Sequence, residues 1–165
     1  DAEDLIGALR TSKLLGEWFA LEAPSAYVLR VESLFGEARG VRPKGSVAGI
    51  VTALREGRTP KVFDDRTVSP TYVPDAARAT RLLLERRPAF GIYHCVNSGH
   101  GTWLEFAAEA ARLLGVSPAF DVVHFADVSL AAARPQYCAL SNEKLAATGI
   151  PMPSWQNALA RYLSA

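Results

Sequence analysis

The chain has 165 residues, a length that suits one domain built around a single core. Hydrophobic residues make up 49% and charged residues 21%, and 18 basic against 17 acidic residues leave a net charge of +1. This is the composition of a soluble globular chain, and the charge balance gives no electrostatic basis for binding nucleic acid or an anionic membrane. No apolar run approaches the roughly 20 residues of a membrane span. The start, DAEDLIGALR, is acidic and lacks the basic end and long apolar stretch of a secretion signal.

Residues 12–22 have helical spacing, with Leu14, Leu15, Trp18 and Phe19 apolar and Pro24 beyond the end. SAYVLRVESLFG (25–36) is β-rich and mostly apolar, as a buried strand is. GEARGVRPKG (36–45) is a loop rich in glycine and in Arg39, Arg42 and Lys44. SVAGIVTALREG (46–57) sets Val47, Ile50, Val51 and Leu54 on one helix face, with Ser46 as N-cap and Gly57 as C-cap. KVFDD (61–65) is a short strand, and RTVSPTYVP (66–74) is extended because residues before proline avoid the helical region.

DAARATRLLLER (75–86) predicts a helix whose acidic start and basic end suit the helix dipole. GIYHCVNSG (91–99) is a strand. TWLEFAAEAARLLG (102–115) is a helix opened by the T-x-x-E capping box of Thr102 and Glu105 and ended by Gly115. FDVVHFADV (120–128) reads as a strand, and SNEKLAATG (141–149) as a short helix closed by Gly149 and Pro151. The last helix is PSWQNALARYL (153–163), with Ser154 as N-cap. The order α, β, α, β, α, β, α, β, α, α argues for an α/β domain.

Neither G-x-G-x-x-G nor G-x-x-G-x-x-G occurs. The nearest stretch is SGHGTWLEF, where Gly99 and Gly101 lie between a strand and a helix; a tight turn with a capping box explains it without a phosphate. His94, His100 and His124, with Cys95 and Cys138, show no metal-ligand spacing, so no metal is expected. The cysteines read as free thiols of a reducing, cytoplasmic compartment. No G-x-S-x-G elbow is present, and Ser33, Ser69, Ser98 and Ser141 lie at strand ends and caps. Arg39, Arg42, Lys44 and Arg66 could hold a diphosphate through charge-assisted hydrogen bonds; by spacing alone an ordinary solvated surface explains them better.

Several segments in order resemble dTDP-4-dehydrorhamnose reductase, a family of the extended short-chain dehydrogenase/reductase superfamily. They are SKLLGE, YVLRVESLFG, FDDRTVSPTYVPDAARA, GIYHCVNSGHGTWLEFAAEAARLLG, RPQYCALSNEKLAATGI and SWQNALARYL. The resemblance implies a partial extended-reductase α/β fold: the C-terminal, sugar-nucleotide-binding portion over 12–165, without the N-terminal Rossmann half and behind a non-matching segment, 1–11. It also implies a reaction, hydride transfer from NADPH or NADH to the C4 ketone of a dTDP-4-keto-6-deoxyhexose. In that reaction a tyrosine donates the proton, and a lysine four residues later lowers its pKa and holds the nicotinamide ribose. Lys13 matches that lysine. Leu9 stands at the tyrosine position and cannot donate a proton.

The sequence therefore resembles a reductase cut off just inside its catalytic helix, with no cofactor expected for this chain alone. Its expected ligand is a dTDP-sugar nucleotide. By the family pattern, the diphosphate falls near Arg39, Lys44 and Arg66, and the base near Ser46 and Val47. Thr67, Ser69 and Thr71 are expected along the cleft, with Arg134 as a further contact. Where the family reads R-T-S-W-V-Y-G, this chain reads R-V-E-S-L-F-G, so Ser33 takes the place of a tryptophan near the sugar. The alternative function is a non-catalytic interaction or regulatory module. In that reading a homodimer or larger assembly covers the strand YVLRVESLF and the Trp18/Phe19 face.

Overall fold

The computed structural model describes residues 2–36, 45–128 and 135–164, and of residues 2–6 and 8–10 the backbone alone. In chain order the elements are α1 (Ala2–Glu22), β1 (Tyr27–Arg30), β2 (Leu34–Phe35), α2 (Ser46–Arg55), β3 (Lys61–Phe63), β4 (Thr67–Val68) and β5 (Thr71–Tyr72). There follow α3 (Val73–Arg86), β6 (Gly91–His94), β7 (Gly101–Thr102), α4 (Trp103–Leu114), β8 (Asp121–Val123), a 3-10 turn (Phe125–Asp127), α5 (Glu143–Ala147) and α6 (Trp155–Leu163). Among the described residues the strands pair two by two: β1–β6, β2–β5 and β3–β8 are parallel, and β4–β7 is antiparallel. Parallel neighbours joined through helices are the signature of an α/β chain.

Helix α4 shows how the sequence builds the main core. Trp103, Phe106, Ala107, Ala110 and Ala111 recur at helical spacing and are all buried. The Thr102 side chain accepts from the Glu105 amide, and the Glu105 carboxylate answers the Thr102 amide, so the expected capping box is present. Small alanines let α2 and α6 approach α4 closely. Val47, Ile50, Val51 and Leu54 of α2 and Trp155, Ala158, Leu159 and Tyr162 of α6 complete the cluster. A second cluster forms between α3, β6 and α5 from Ala79, Leu83, Tyr93, Cys95, Leu145, Ile150 and Met152.

The sequence reading and the structure part at several places. The helix expected over 12–22 starts at Ala2. The single strand expected over 25–36 is broken into β1 and β2, because Glu32 turns inward and Ser33 adopts a left-handed φ of 43°. Gly45, not Ser46, is the N-cap of α2, and Ser46 opens the helix. The strand expected over 120–128 ends at Val123 and tightens into the 3-10 turn, where Asp65 accepts from the Phe125 amide. Most of the loop expected over 36–45 lies outside the described residues. No helix among the described residues is long and apolar enough to cross a membrane.

Replacing Phe106, packed against Trp103, Trp155 and Phe35, by alanine should destabilise the fold by about 3–5 kcal/mol. Leu84→Ala, at an exposed position of α3, should stay within about 0.5 kcal/mol. Urea denaturation of both variants checks the contrast.

Candidate functional site

A cleft of about 420 Å³ opens between α2 and the segment 58–66. Ile50 and Trp103 supply apolar walls, and Arg58, Lys61 and Arg66 supply positive charge. Its volume lies in the range of small-ligand sites. Arg58 is engaged with Glu56 in an exposed ion pair. Arg66 differs: its Nε is inaccessible to solvent and has no hydrogen-bond partner among the described residues. An unanswered buried donor is costly, and an anionic ligand would satisfy it. Helix α2 adds to the positive field, since its N-cap is Gly45, no side chain caps its first turn among the described residues and no acidic residue lies there.

A smaller cavity of about 160 Å³ adjoins the cleft, lined by Ser33, Leu34, Gly45, Ser46, Val47 and Trp103. Ser46 and Trp103 border both spaces, so the two cavities are neighbours. Behind the smaller cavity lies Glu32. Its carboxylate accepts from Ser33 Oγ through one oxygen and from the Ser69 amide at 2.5 Å through the other. Its own amide donates to Thr71 Oγ1 at 3.3 Å. Burial pushes the Glu32 carboxyl above the usual carboxylate range; the bonds from Ser33 and Ser69 and the nearby Arg66 charge act in the opposite sense.

The residues singled out in sequence fall into different places. Ser33, Ser46, Val47 and Arg66 come together around the two neighbouring spaces. Thr67, Ser69 and Thr71 do not border them. Ser69 and Thr71 are fully buried, and their hydroxyls accept from the Leu140 and Glu32 amides, so they hold the wall from behind. Arg39, Lys44 and Arg134 lie outside the described residues. Lys13 stands in a separate groove of about 590 Å³ between α1 and β1, beside the paired Glu17 and Arg30. Leu9 lies four residues earlier on the same helix.

The Gly99–Gly101 turn is not an open phosphate cradle. A Cβ at Gly99 would meet the Trp155 ring at 3.3 Å, and one at Gly101 would meet Glu105 at 3.0 Å. The capping box engages the start of α4. None of the serine hydroxyls is hydrogen-bonded to a histidine among the described residues; Ser98 Oγ donates to the Met152 carbonyl, and Ser141 Oγ accepts from the Glu143 amide. Cys95 and Cys138 are both free, and burial pushes the Cys95 thiol up to about 11.

Sequence reasoning missed Glu32, Trp103 and the group Asp64, Asp65 and His124. A charged residue inside an apolar strand pattern was the available signal for Glu32. The last group is brought together by the β3–β8 register, with ligand-type atoms within 4.8 Å of one another. His124 Nδ1 lies 2.9 Å from Asp64 Oδ1, a buried oxygen that accepts no hydrogen bond among the described residues, and Asp65 accepts from Gln136 and the Phe125 amide.

Parallel strand pairs bridged by helices, with a cationic cleft at a helix start, make this the substrate-binding portion of an extended short-chain dehydrogenase/reductase fold. The family model described as RmlD substrate binding domain matches residues 4–165, and the chain belongs to that family. A dTDP-4-dehydrorhamnose reductase of Streptomyces griseus is 34% identical over 164 residues, covering 93% of this chain and 52% of the relative. The spore coat polysaccharide biosynthesis protein SpsK of Bacillus subtilis is 31% identical over 156 residues, covering 92% of this chain and 52% of that protein. A crystal structure of dTDP-4-dehydrorhamnose reductase from Bacillus anthracis in complex with NADP superposes with a TM-score of 0.82 at 29% identity, over 93% of this chain and 54% of that one. The chain thus spans about half the length of the curated relatives it matches.

The raised carboxyl of Glu32 has a consequence for stability. The folded chain holds this proton more tightly than the unfolded chain does, so ionisation opposes folding. The associated stability is fully present below the unfolded value of 4.5 and declines as pH rises through the higher folded value. Glu32→Gln lacks this dependence. The stability of the natural chain relative to the variant should fall as pH rises through that window, as measured by urea denaturation from acid to neutral pH.

Proposed function

We propose that this chain is the sugar-nucleotide-binding part of a dTDP-4-dehydrorhamnose-reductase-like protein, with its site in residues 12–165, and that it does not reduce substrate by itself. The observation that carries the reading is Arg66, whose buried Nε is unanswered at the wall of a cleft bordered by the uncapped start of α2. A diphosphate matches both features, since guanidinium groups and helix N-termini bind phosphate oxygens. Ile50 and Trp103 give the nucleoside an apolar surface, and the Ser33 cavity takes the sugar. Arg39, Lys44 and Arg134 belong to the same reading as further phosphate contacts.

The residues of this chain do not fit a dinucleotide. The stretch that comes nearest to a dinucleotide turn, Gly99–Gly101, packs against Trp155 and Glu105. Lys13 holds the position of the family lysine, but Leu9 supplies no proton to relay. The reading places the protein in the cytoplasm, where the thiols of Cys95 and Cys138 stay reduced.

Calorimetric titration tests this. dTDP should bind the 165-residue chain and NADPH should not. Arg66→Ala should weaken dTDP by about 1–3 kcal/mol, the cost of losing a charge-assisted bond to a desolvated oxygen. NADPH consumption with a dTDP-4-keto sugar would overturn the claim that the chain is inactive alone.

A second reading is favoured by one specific surface. Trp18 is 58% and Phe19 69% exposed on α1, beside exposed Leu14, Leu15 and Leu21. Apolar surface this extensive marks an interaction site, and assembly with a second copy would cover it. Sedimentation at micromolar concentration should show a dimer or larger species that Trp18→Glu with Phe19→Glu converts to monomer. A clean monomer of the natural chain would count against it.

A further inference from the structure

A serine hydroxyl has one proton to donate and two lone pairs with which to accept. With the Glu32 carboxylate ionised, Ser33 directs its proton to Glu32, away from any ligand. Glu32 cannot easily turn elsewhere. Its other oxygen accepts from the Ser69 amide, its own amide donates to Thr71 Oγ1, and Ser69 and Thr71 are fully buried. The backbone fixes the geometry further. Ser33 is one of two non-glycine residues with positive φ among the described residues, the other being Arg87 at the end of α3. Left-handed backbone at a β-strand break, without glycine, persists where the surroundings over-determine it.

Ser33 also lines the smaller cavity, which shares Ser46 and Trp103 with the Arg66 cleft. We propose that Ser33 meets the sugar of the bound nucleotide as a hydrogen-bond acceptor only, that Glu32 is the positioning residue that fixes this polarity, and that the cavity therefore selects a sugar hydroxyl and rejects a carbonyl at that point. The proposal rests on the sugar-nucleotide reading of the cleft. A group that can only accept, placed against the Ser33 lone pairs, leaves two acceptors facing each other without a proton. Sites built on such a bond discriminate strongly against partners that lack it.

Glutamine at position 32 reverses the polarity. Its carbonyl must stay on the Ser69 amide, so its NH₂ faces Ser33 Oγ and donates to it. The Ser33 proton is then free to turn into the cavity. Glu32→Gln thus acts on the ligand only through Ser33, and a purely structural role would not change which sugar atom is preferred.

The test is a calorimetric titration of the full chain with dTDP, dTDP-glucose and the four mono-deoxyfluoro analogues of dTDP-glucose, in which fluorine accepts but cannot donate. Affinities are compared as analogue-to-parent ratios within each variant. In the natural chain one analogue should bind about tenfold more weakly than dTDP-glucose, the effect of roughly 1.4 kcal/mol. That ratio should return to about one in Ser33→Ala and shrink in Glu32→Gln. The proposal is overturned if no analogue is disfavoured, or if the disfavoured one stays so in both variants. If dTDP itself fails to bind the natural chain, the sugar-nucleotide reading falls, and this proposal falls with it.

Discussion

Asp75 is an acidic residue in the first turn of α3 that is only 3% exposed. A carboxylate at that depth is tolerated only when it is fully answered. Asn97 donates to it at 2.8 Å, and Arg161 of α6 reaches the same oxygen at 2.5 Å. The remaining valences of Asn97 bind the Tyr72 amide and the Pro153 carbonyl. One polar cluster therefore ties β5, α3, the segment after β6 and the approach to α6. It adds to the other polar ties of α6, the Trp155 amide on the Ser98 carbonyl and Arg55 on the Leu163 carbonyl.

The site depends on that frame. The chain from β4 to β5 is extended, with Pro70 disfavouring helix at Ser69 before it, and Asn97 fixes its far end at the Tyr72 amide. Its near end is held by Glu32 through the Ser69 amide. Arg66 enters just ahead of this strap and faces the start of α2 across the cleft. Trp103 arrives from another direction, as the first residue of α4, where the capping box sets the helix angle. Four separate segments thus contribute to the two neighbouring spaces. Glu32 is buried close to the Arg66 charge, at a cost in the desolvation of the carboxylate.

Helix α1 and strand β1 have a different character. They carry Lys13 and its groove, yet much of the apolar surface of α1 is open. The relatives are about twice as long as the stretch they share with this chain, and in one of them NADP is bound.

Much of this was legible in the sequence. The 3.6-residue spacing of α2, α4 and α6, the Thr102–Glu105 box and the Ser154 cap are local, because the hydrogen bonds and the apolar stripe lie within one helix. The ordered motifs from SKLLGE to SWQNALARYL carry the family, and the family pattern points to Ser33, Ser46, Val47 and Arg66, which border the two cavities. Tertiary structure alone decided the rest. Asp75 reads in sequence as a helix-start acid and becomes a buried hub only when Asn97 and Arg161 arrive from 22 and 86 residues away. Ser69 and Thr71 read as cleft residues, but the strap turns their hydroxyls toward Glu32 and Leu140. Glu32 interrupts an apolar strand, and nothing in its neighbours along the chain says that an amide 37 residues on will receive it. Local periodicity fixes which face of an element is apolar; which polar group answers which depends on how the elements are stacked, and that is set only by the packed fold.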